Sequence, residues 1–403
     1  MKFVESSKIS GSYEPPISKS YAQRQIICNY LSGYDNSSLS SDSADDIAVA
    51  YNSLKKLEET YSEILLGDSG FCLRVIPVLA SLCYDKSSFL ISNRMKERFD
   101  INLFGQTGLK SQILDFDNQN KLLSVTGKLK AGRFELDGSV TSQILSGLIM
   151  SLPLLESDSI IYVNNLESKN YIDLTIGIIG KYSVKVFHDN YKVFHIPGKQ
   201  KYKYVENYVE KDWSSATFIL SAAAFASEIE LQVSGLNLAS SQPDRAILNI
   251  FDLADIKYTS IDDKIIVKNS KIKSFSYDFS DCPDLVPAII PLTINSDDIC
   301  ILKGISRLKY KESNRIEALI SEYKKCGIKI EHTDNTLIVH PGKFSGNIIN
   351  THNDHRIAMS LAVSTLSGVG KLSIENHQCV SKSYPNFWRD LTELGAKIYE
   401  QVW

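Results

Sequence analysis

The chain has 403 residues, too many for one ordinary hydrophobic core, so two domains of about 200 residues each are expected. Its 43% hydrophobic and 23% charged residues describe a globular protein, and no run of ~18 apolar residues predicts a membrane span. A formal net charge of -3 leaves no footprint for nucleic acid, and seven scattered cysteines, never in a C-x-x-C pair, argue against a disulfide framework or a zinc site. Met1 to Glu5 lacks the apolar core of a secretory signal, so a cytoplasmic protein with reduced thiols is expected.

In chain order, the first chemical feature is Ser18-Lys19-Ser20 followed by Arg24. Ser18 reads as the cap of a helix, with Lys19 and Ser20 in its first turn and Arg24 one turn beyond Ser20. A hydroxyl, an ammonium, a guanidinium and the open backbone N–H groups of a helix start converge there, the outline of a phosphate site. A capped helix with surface cations reads the same way. The polar stretch from Asp35 to Asp46 predicts a loop leading into a helix from about Ala44. Leu66-Gly67-Asp68-Ser69-Gly70 then predicts a glycine-bounded turn feeding a helix from Phe71 to Cys83, where a ligand could approach the backbone closely. Most such turns are only turns. Asp137-Gly138-Ser139-Val140-Thr141-Ser142-Gln143 reads as another turn opening a helix, either a Ser/Thr-rich cap or a set of donors suited to a polyhydroxylated ligand.

Further along, a helix-like segment repeatedly ends and runs straight into a short apolar strand: at Gly180, Asp255, Gly327 and Gly395. Glycine ends a helix because it takes the left-handed conformation without steric cost; aspartate does so less easily. The spacing of about 70 residues is the scale of repeated supersecondary units. Helices alternate with strands at Lys264–Lys268, Thr336–His340 and Lys371–Glu375, so an α/β layered architecture is expected.

The charged residues of the C-terminal half sit at predicted helix starts. Asp284 lies between prolines and apolar neighbours, which suggests partial burial. Lys311-Glu312-Ser313-Asn314-Arg315 is expected to open an amphipathic helix running to Cys326, with Lys311 and Arg315 on one face. Two cations there, near the positive end of the helix dipole, cost about 0.5–1 kcal/mol unless an anion binds; a solvated charged face is the plainer reading. Asn353-Asp354-His355-Arg356 precedes a helix apolar enough to be buried, so Arg356 needs an anion, either Asp354 or a ligand.

Taken in order, these segments resemble the EPSP synthase family of enolpyruvyl transferases across nearly the whole chain. The runs that carry the likeness are Ser18-Lys19-Ser20-x3-Arg24, Gly67-Asp68-Ser69-Gly70 with Arg74, Arg94-Met95-Lys96-Glu97-Arg98, Asp137 to Gln143, Ser168 to Asp173 and Asp212 to Ala216. They continue with Pro283-Asp284, Lys311 to Arg315, Asn353 to Arg356 and Lys382 to Pro385. The resemblance implies two similar α/β domains, each of three βαβαββ-type units around a pseudo-threefold axis, an inside-out barrel with the active site in the interdomain cleft. It puts residues 1–17 with 211–403 in the first domain and 18–210 in the second, inserted one. The chain is short between Arg24 and Gly70, so one repeat of the inserted domain is expected to be trimmed.

The implied reaction joins phosphoenolpyruvate to the 5-hydroxyl of shikimate 3-phosphate by addition and elimination, releasing phosphate, as a step of aromatic amino acid biosynthesis. By resemblance, shikimate 3-phosphate meets Lys19, Ser20, Arg24, Thr141, Ser142, Gln143, Ser168, Tyr171, Asp284, Arg307 and Lys311. Phosphoenolpyruvate meets Lys19, Gly70, Arg98, Gln143, Arg315, Arg356 and Lys382. Asp284, Glu312 and Lys19 are the implied proton-transfer groups. No metal or organic cofactor is implied, no nucleic acid or membrane partner, and a monomer is expected. The sequence departs from the family pattern at Ile17, Asp68, Phe71, Val75 and Phe99, and Arg307 falls where some members use asparagine. Two other readings remain at this point: the sister UDP-N-acetylglucosamine 1-carboxyvinyltransferase, whose mobile-loop cysteine has no counterpart in Asn93 to Arg98, and a catalytically inactive homologue that binds phosphorylated ligands.

Overall fold

A computed structural model describes residues 1–34, 44–59, 63–139 and 141–400, without the side chains of Glu97 and Arg98. Most of the loop expected from Asp35, together with Val140, lies outside the described residues. The chain divides into two compact units, Lys19–Val209 and Met1–Ser18 with Glu210–Trp403.

The inserted unit carries helices α1 (Lys19–Leu31), α2 (Asp45–Glu59), α3 (Gly70–Cys83), α4 (Asn93–Arg98), α5 (Gln143–Ser151) and α6 (Lys169–Lys181). Its two four-stranded sheets share one plan. Across the first run Ile64–Gly67, Lys86–Ser92, Asn120–Thr126 and Lys110–Asp115; across the second, Arg133–Asp137, Ser159–Asn164, Val193–Ile196 and Phe187–Asp189. In each, the first pair is parallel and the other two pairs are antiparallel. A parallel pair needs a crossover, and α3 and α5 are those crossovers. Among the described residues before Ile64, this unit has α1 and α2 and no sheet.

The other unit carries α7 (Trp213–Ala226), α8 (Ile247–Leu253), α9 (Val286–Thr293), α10 (Arg315–Lys325), α11 (His355–Thr365) and α12 (Phe387–Glu393). The same plan recurs three times. The sheets run Ile9–Tyr13, Ser227–Ser234, Lys264–Lys268, Tyr258–Ile261; then Ser276–Asp278, Cys300–Lys303, Thr336–Val339, Ile330–Thr333; then Ile348–Asn350, Lys371–Glu375, Lys2–Glu5, Lys397–Glu400. In the last, Lys2 opposes Ile374 on one side and Glu400 on the other, so the first strand completes a repeat begun near the C-terminus.

The crossover helices of this unit, α7, α9 and α11, are buried around almost their whole circumference. A helix apolar on every side has no face to show to water and must be enclosed. The hydroxyls inside are satisfied within the core: Ser360 and Ser364 of α11 both pair with the Tyr323 hydroxyl, at 2.7 and 2.8 Å. Charged groups are thereby confined to the N-terminal ends, where Asp354, His355 and Arg356 stand.

Three of the four expected helix ends carry a left-handed residue: Asp255 at φ +55°, Gly327 at +81° and Gly395 at +107°. The fourth differs. Helix α6 continues through Gly180 to Lys181, and Ser183, at φ +66°, is the left-handed residue instead. A glycine marks where a helix is able to stop; the packing of the last turn decides where it does.

Candidate active site

In the inserted unit, the residues singled out from sequence gather at helix openings. Helix α1 begins at Lys19, so Lys19 and Ser20 lie in its first turn as expected. Arg24 is 2% exposed and is fixed from three sides: Nε donates to Thr175 Oγ1 at 2.8 Å, Nη1 to the Ser20 carbonyl at 2.8 Å, and its guanidinium lies 4.5 Å above the Phe71 ring. Thr175 in turn donates to the Tyr171 carbonyl at 2.8 Å, which ties α1 to the first turns of α6. Burial pulls the Arg24 guanidinium down to about 10, still fully charged at neutral pH.

Lys19 Nζ lies 2.9 Å from Asp46 Oδ2 at the start of α2, and Gln23 Nε2 donates to the Asp46 carbonyl at 3.0 Å. Gly70 opens α3, and its carbonyl accepts from Arg74 Nη1 at 2.9 Å; the same nitrogen donates to Gln143 Oε1 at 3.2 Å. A Cβ at Gly70 would stand 3.1 Å from Arg74 Nη1. Thr141 Oγ1 accepts from the Gln143 N–H at 3.2 Å, Ser142 precedes α5, and Ser168 precedes α6 with a left-handed backbone at φ +56°. The Arg98 side chain lies outside the described residues. Two departures from the family pattern thus have a local reason, since Phe71 packs under Arg24 and Phe99 lies 5.5 Å from the Arg74 guanidinium.

The other unit gathers Asp284, Lys311, Glu312, Arg315, Arg356 and Lys382 into one connected cluster, and Arg307 lies near enough to act on the charge of Lys311. The centre of the cluster is Arg315, whose side chain is 1% exposed. Nε donates to Asp354 Oδ2 at 2.8 Å, Nη1 to Asp284 Oδ1 at 2.7 Å and Nη2 to Glu312 Oε2 at 2.5 Å. Lys311 Nζ shares Asp284 Oδ1 at 3.1 Å, Lys382 Nζ lies 3.8 Å from Glu312 Oε1, and Arg356 Nη1 donates to the Asp284 carbonyl at 2.5 Å.

One expectation is corrected here. Lys311 and Arg315 do not share a helical face: α10 begins at Arg315, capped by the Asn314 side chain, and Lys311 is extended after the turn Ser306–Tyr310. The two cations are brought together by their common carboxylate, not by helical spacing, so the repulsion argument does not apply. Asp354 caps α11, accepting from the Arg356 N–H at 2.9 Å while also holding Arg315.

Burial alone would raise the Asp284 carboxyl, but Lys311, Arg356 and Arg315 outweigh it and hold the group far below the usual carboxylate range. Burial would also raise Asp354, and Arg315 holds it low. Burial would lower Arg315, but Asp354, Glu312 and Asp284 carry it well above the usual value. Lys311 is lowered, by burial first and with Arg307 adding to it, against the pull of Asp284. The result is an ionised, partly shielded carboxylate among cations at a helix start, the arrangement that binds anions and handles protons.

Asp46, Thr175 and Asp244 were given no role from sequence, and Ser214 entered only as part of the Asp212 to Ala216 run. Asp46 sits in an acidic stretch and Thr175 in mid-helix, with nothing local to mark either; only the packing of α1 against α2 and α6 gives them partners.

This fold is that of the enolpyruvyl transferases. The solved structures of EPSP synthase from Acinetobacter baumannii and of the enolpyruvyl transferase NikO from Streptomyces tendae each superpose with a TM-score of 0.75, at 18% and 13% identity. They cover 99% of this chain and 100% and 98% of their own. A family model described as EPSP synthase (3-phosphoshikimate 1-carboxyvinyltransferase) matches residues 66–391. Relatives named 3-phosphoshikimate 1-carboxyvinyltransferase are 33% identical in Clostridium beijerinckii, over 98% of this chain and 97% of theirs, and 34% identical in Clostridium kluyveri, over 99% of both. The chain belongs to the EPSP synthase family.

Proposed function

We infer that this chain catalyses the family reaction, enolpyruvyl transfer from phosphoenolpyruvate to the 5-hydroxyl of shikimate 3-phosphate, in aromatic amino acid biosynthesis. The observation that carries the reading is the Asp284 carboxylate, with Lys311 and Arg315 on one oxygen and Arg356 on its own carbonyl.

In the inserted unit, Ser20, Arg24, Thr141, Ser142, Gln143, Ser168 and Tyr171 serve the phosphate and ring hydroxyls of shikimate 3-phosphate. Lys19, Gly70, Arg98 and Gln143 serve phosphoenolpyruvate. In the other unit, Lys311 and Arg307 also serve the sugar-like substrate, while Arg356, Lys382 and Arg315 serve phosphoenolpyruvate. Arg315 acts there by setting Asp284 and Glu312, since its own donors are engaged by carboxylates. Asp284 takes the proton of the 5-hydroxyl as the oxygen attacks C2 of phosphoenolpyruvate, and Glu312 or Lys19 supplies the proton that reaches C3. The tetrahedral adduct then expels phosphate as the C3 proton is lost. A carboxylate held so low by cations is a weak base; anionic substrates arriving at those cations divide their charge and restore its basicity. The cations stabilise the charge that develops on the phosphate and carboxylate oxygens.

The two units are read as the two domains of such an enzyme, with one repeat of the inserted domain shortened near α1 and α2. A cytoplasmic monomer is proposed; among the described residues no helix is long and apolar enough to cross a membrane. The test is phosphate release from shikimate 3-phosphate plus phosphoenolpyruvate. Asp284→Ala and Arg356→Ala are each expected to cut turnover at least ~100-fold. No turnover by folded wild-type protein would favour an inactive ligand-binding homologue, and near-normal rates in either variant would remove the role given to that residue.

A further inference from the structure

Asp244 belongs to none of the motifs read from the sequence. It lies in the turn Pro243–Ala246 ahead of α8, with its side chain 1% exposed. Its Oδ2 accepts from Ser214 Oγ, in the first turn of α7, at 2.5 Å and lies 3.4 Å from Arg356 Nη1. That same Arg356 nitrogen donates to the Asp284 carbonyl. One arginine nitrogen is therefore held between two oxygens carried on different elements, the turn before α8 and the turn Pro283–Leu285 before α9. An enclosed carboxylate without a counter-charge is costly, so the pair sustains both partners. Burial raises the Asp244 carboxyl and Arg356 is the strongest influence opposing it. Asp244 Oδ1 is buried and has no hydrogen-bond partner among the described residues, so its place is set by Oδ2 alone.

We propose that Asp244 is a positioning residue for Arg356, fixing the guanidinium at the N-terminal end of α11 in the orientation that receives phosphoenolpyruvate, with Ser214 fixing Asp244 in turn. The inference rests on the reading of Arg356 as a phosphoenolpyruvate contact. Asp244 touches no substrate; it acts through the arginine. Outer partners of this kind change affinity or activity by roughly 10- to 100-fold when their charge is removed, as they do around metal ligands.

Asp244→Asn keeps the shape and the Ser214 contact and removes the charge. It is expected to raise both the Kd for phosphoenolpyruvate, titrated alone by calorimetry, and the KM for it by roughly 10- to 100-fold, leaving the shikimate 3-phosphate values within about twofold. Ser214→Ala retains the carboxylate and is expected to give a smaller rise, roughly two- to fivefold, for phosphoenolpyruvate alone. It decides the matter if the asparagine variant does not fold. Wild-type phosphoenolpyruvate affinity in these variants overturns the inference, as does an equal loss for both substrates, which would mean a general structural role. If the wild-type chain binds phosphoenolpyruvate yet does not turn over the substrate pair, the functional reading fails while the titration still decides Asp244. A wild-type chain that neither binds phosphoenolpyruvate nor turns over the substrate pair overturns both.

Discussion

Arg315 Nε donates to Asp354 Oδ2 at 2.8 Å, and the two side chains, 1% and 0% exposed, are closed off from solvent. Charge at that depth survives because Arg315 meets two further carboxylates and Asp354 also caps α11. The pair joins the starts of α10 and α11, and Arg356 follows the cap by two residues.

Removing Arg315 should therefore show first in stability. Arg315→Gln leaves Asp354 enclosed without its cation, and loss of one partner of a buried pair costs about 3–5 kcal/mol. Denaturant unfolding of this variant checks it. A loss below about 1 kcal/mol would mean that the carboxylates find other partners.

The acid limb of stability follows from the same cluster. Burial on its own would raise Asp284 and Asp354, but Lys311, Arg356 and Arg315 hold Asp284, and Arg315 holds Asp354, below the usual range. Folding thus favours their ionised forms. That contribution is whole above the unfolded-chain value of about 3.9 and is lost as pH falls below it toward the folded values. Unfolding free energy is expected to decline on the acid side of pH ~4, and Asp284→Asn to flatten the decline. An unchanged slope in the variant would assign the acid limb to other groups.

Gly70 has an ordinary negative φ, so alanine there meets no backbone strain. The added methyl instead stands 3.1 Å from Arg74 Nη1, at the helix opening where a ligand would approach. Gly70→Ala is expected to fold normally and to raise the KM for phosphoenolpyruvate roughly tenfold, about the worth of one charge-assisted contact. Unaltered KM would show that no ligand comes close to this turn.

Arg24→Lys keeps the charge and discards the fork that reaches both Thr175 Oγ1 and the Ser20 carbonyl. A planar guanidinium over the Phe71 ring is not interchangeable with an ammonium. The KM for shikimate 3-phosphate is expected to rise roughly 10- to 100-fold with little change for phosphoenolpyruvate. Equal effects on both would argue for general disorder of α1.

Local signals carried a good deal of this protein. Strands at Lys264–Lys268 and Lys371–Glu375 form over the same residues read as strands from sequence, because a short apolar stretch between polar ends is a local signal. Asp354 caps α11 because capping is settled within three residues. The left-handed helix ends at Gly327 and Gly395 are equally local. The family likeness reached the charged residues, since the chemistry needs those types in that order.

What the sequence by itself did not decide is who pairs with whom. Lys311 and Arg315, four apart, looked like neighbours on a helix; the helix starts later, and the carboxylate of Asp284, distant in the chain, gathers them. Asp46 and Asp244 had no mark to separate them from any acid in a turn, and acquire partners only when helix starts are packed together. Periodicity and capping depend on residues a few positions apart, so a linear chain records them. The depth at which a charge is buried, and the counter-charge that makes such burial tolerable, depend on groups as far apart as Asp244 and Arg356, and only the folded packing of α7, α9 and α11 brings those together.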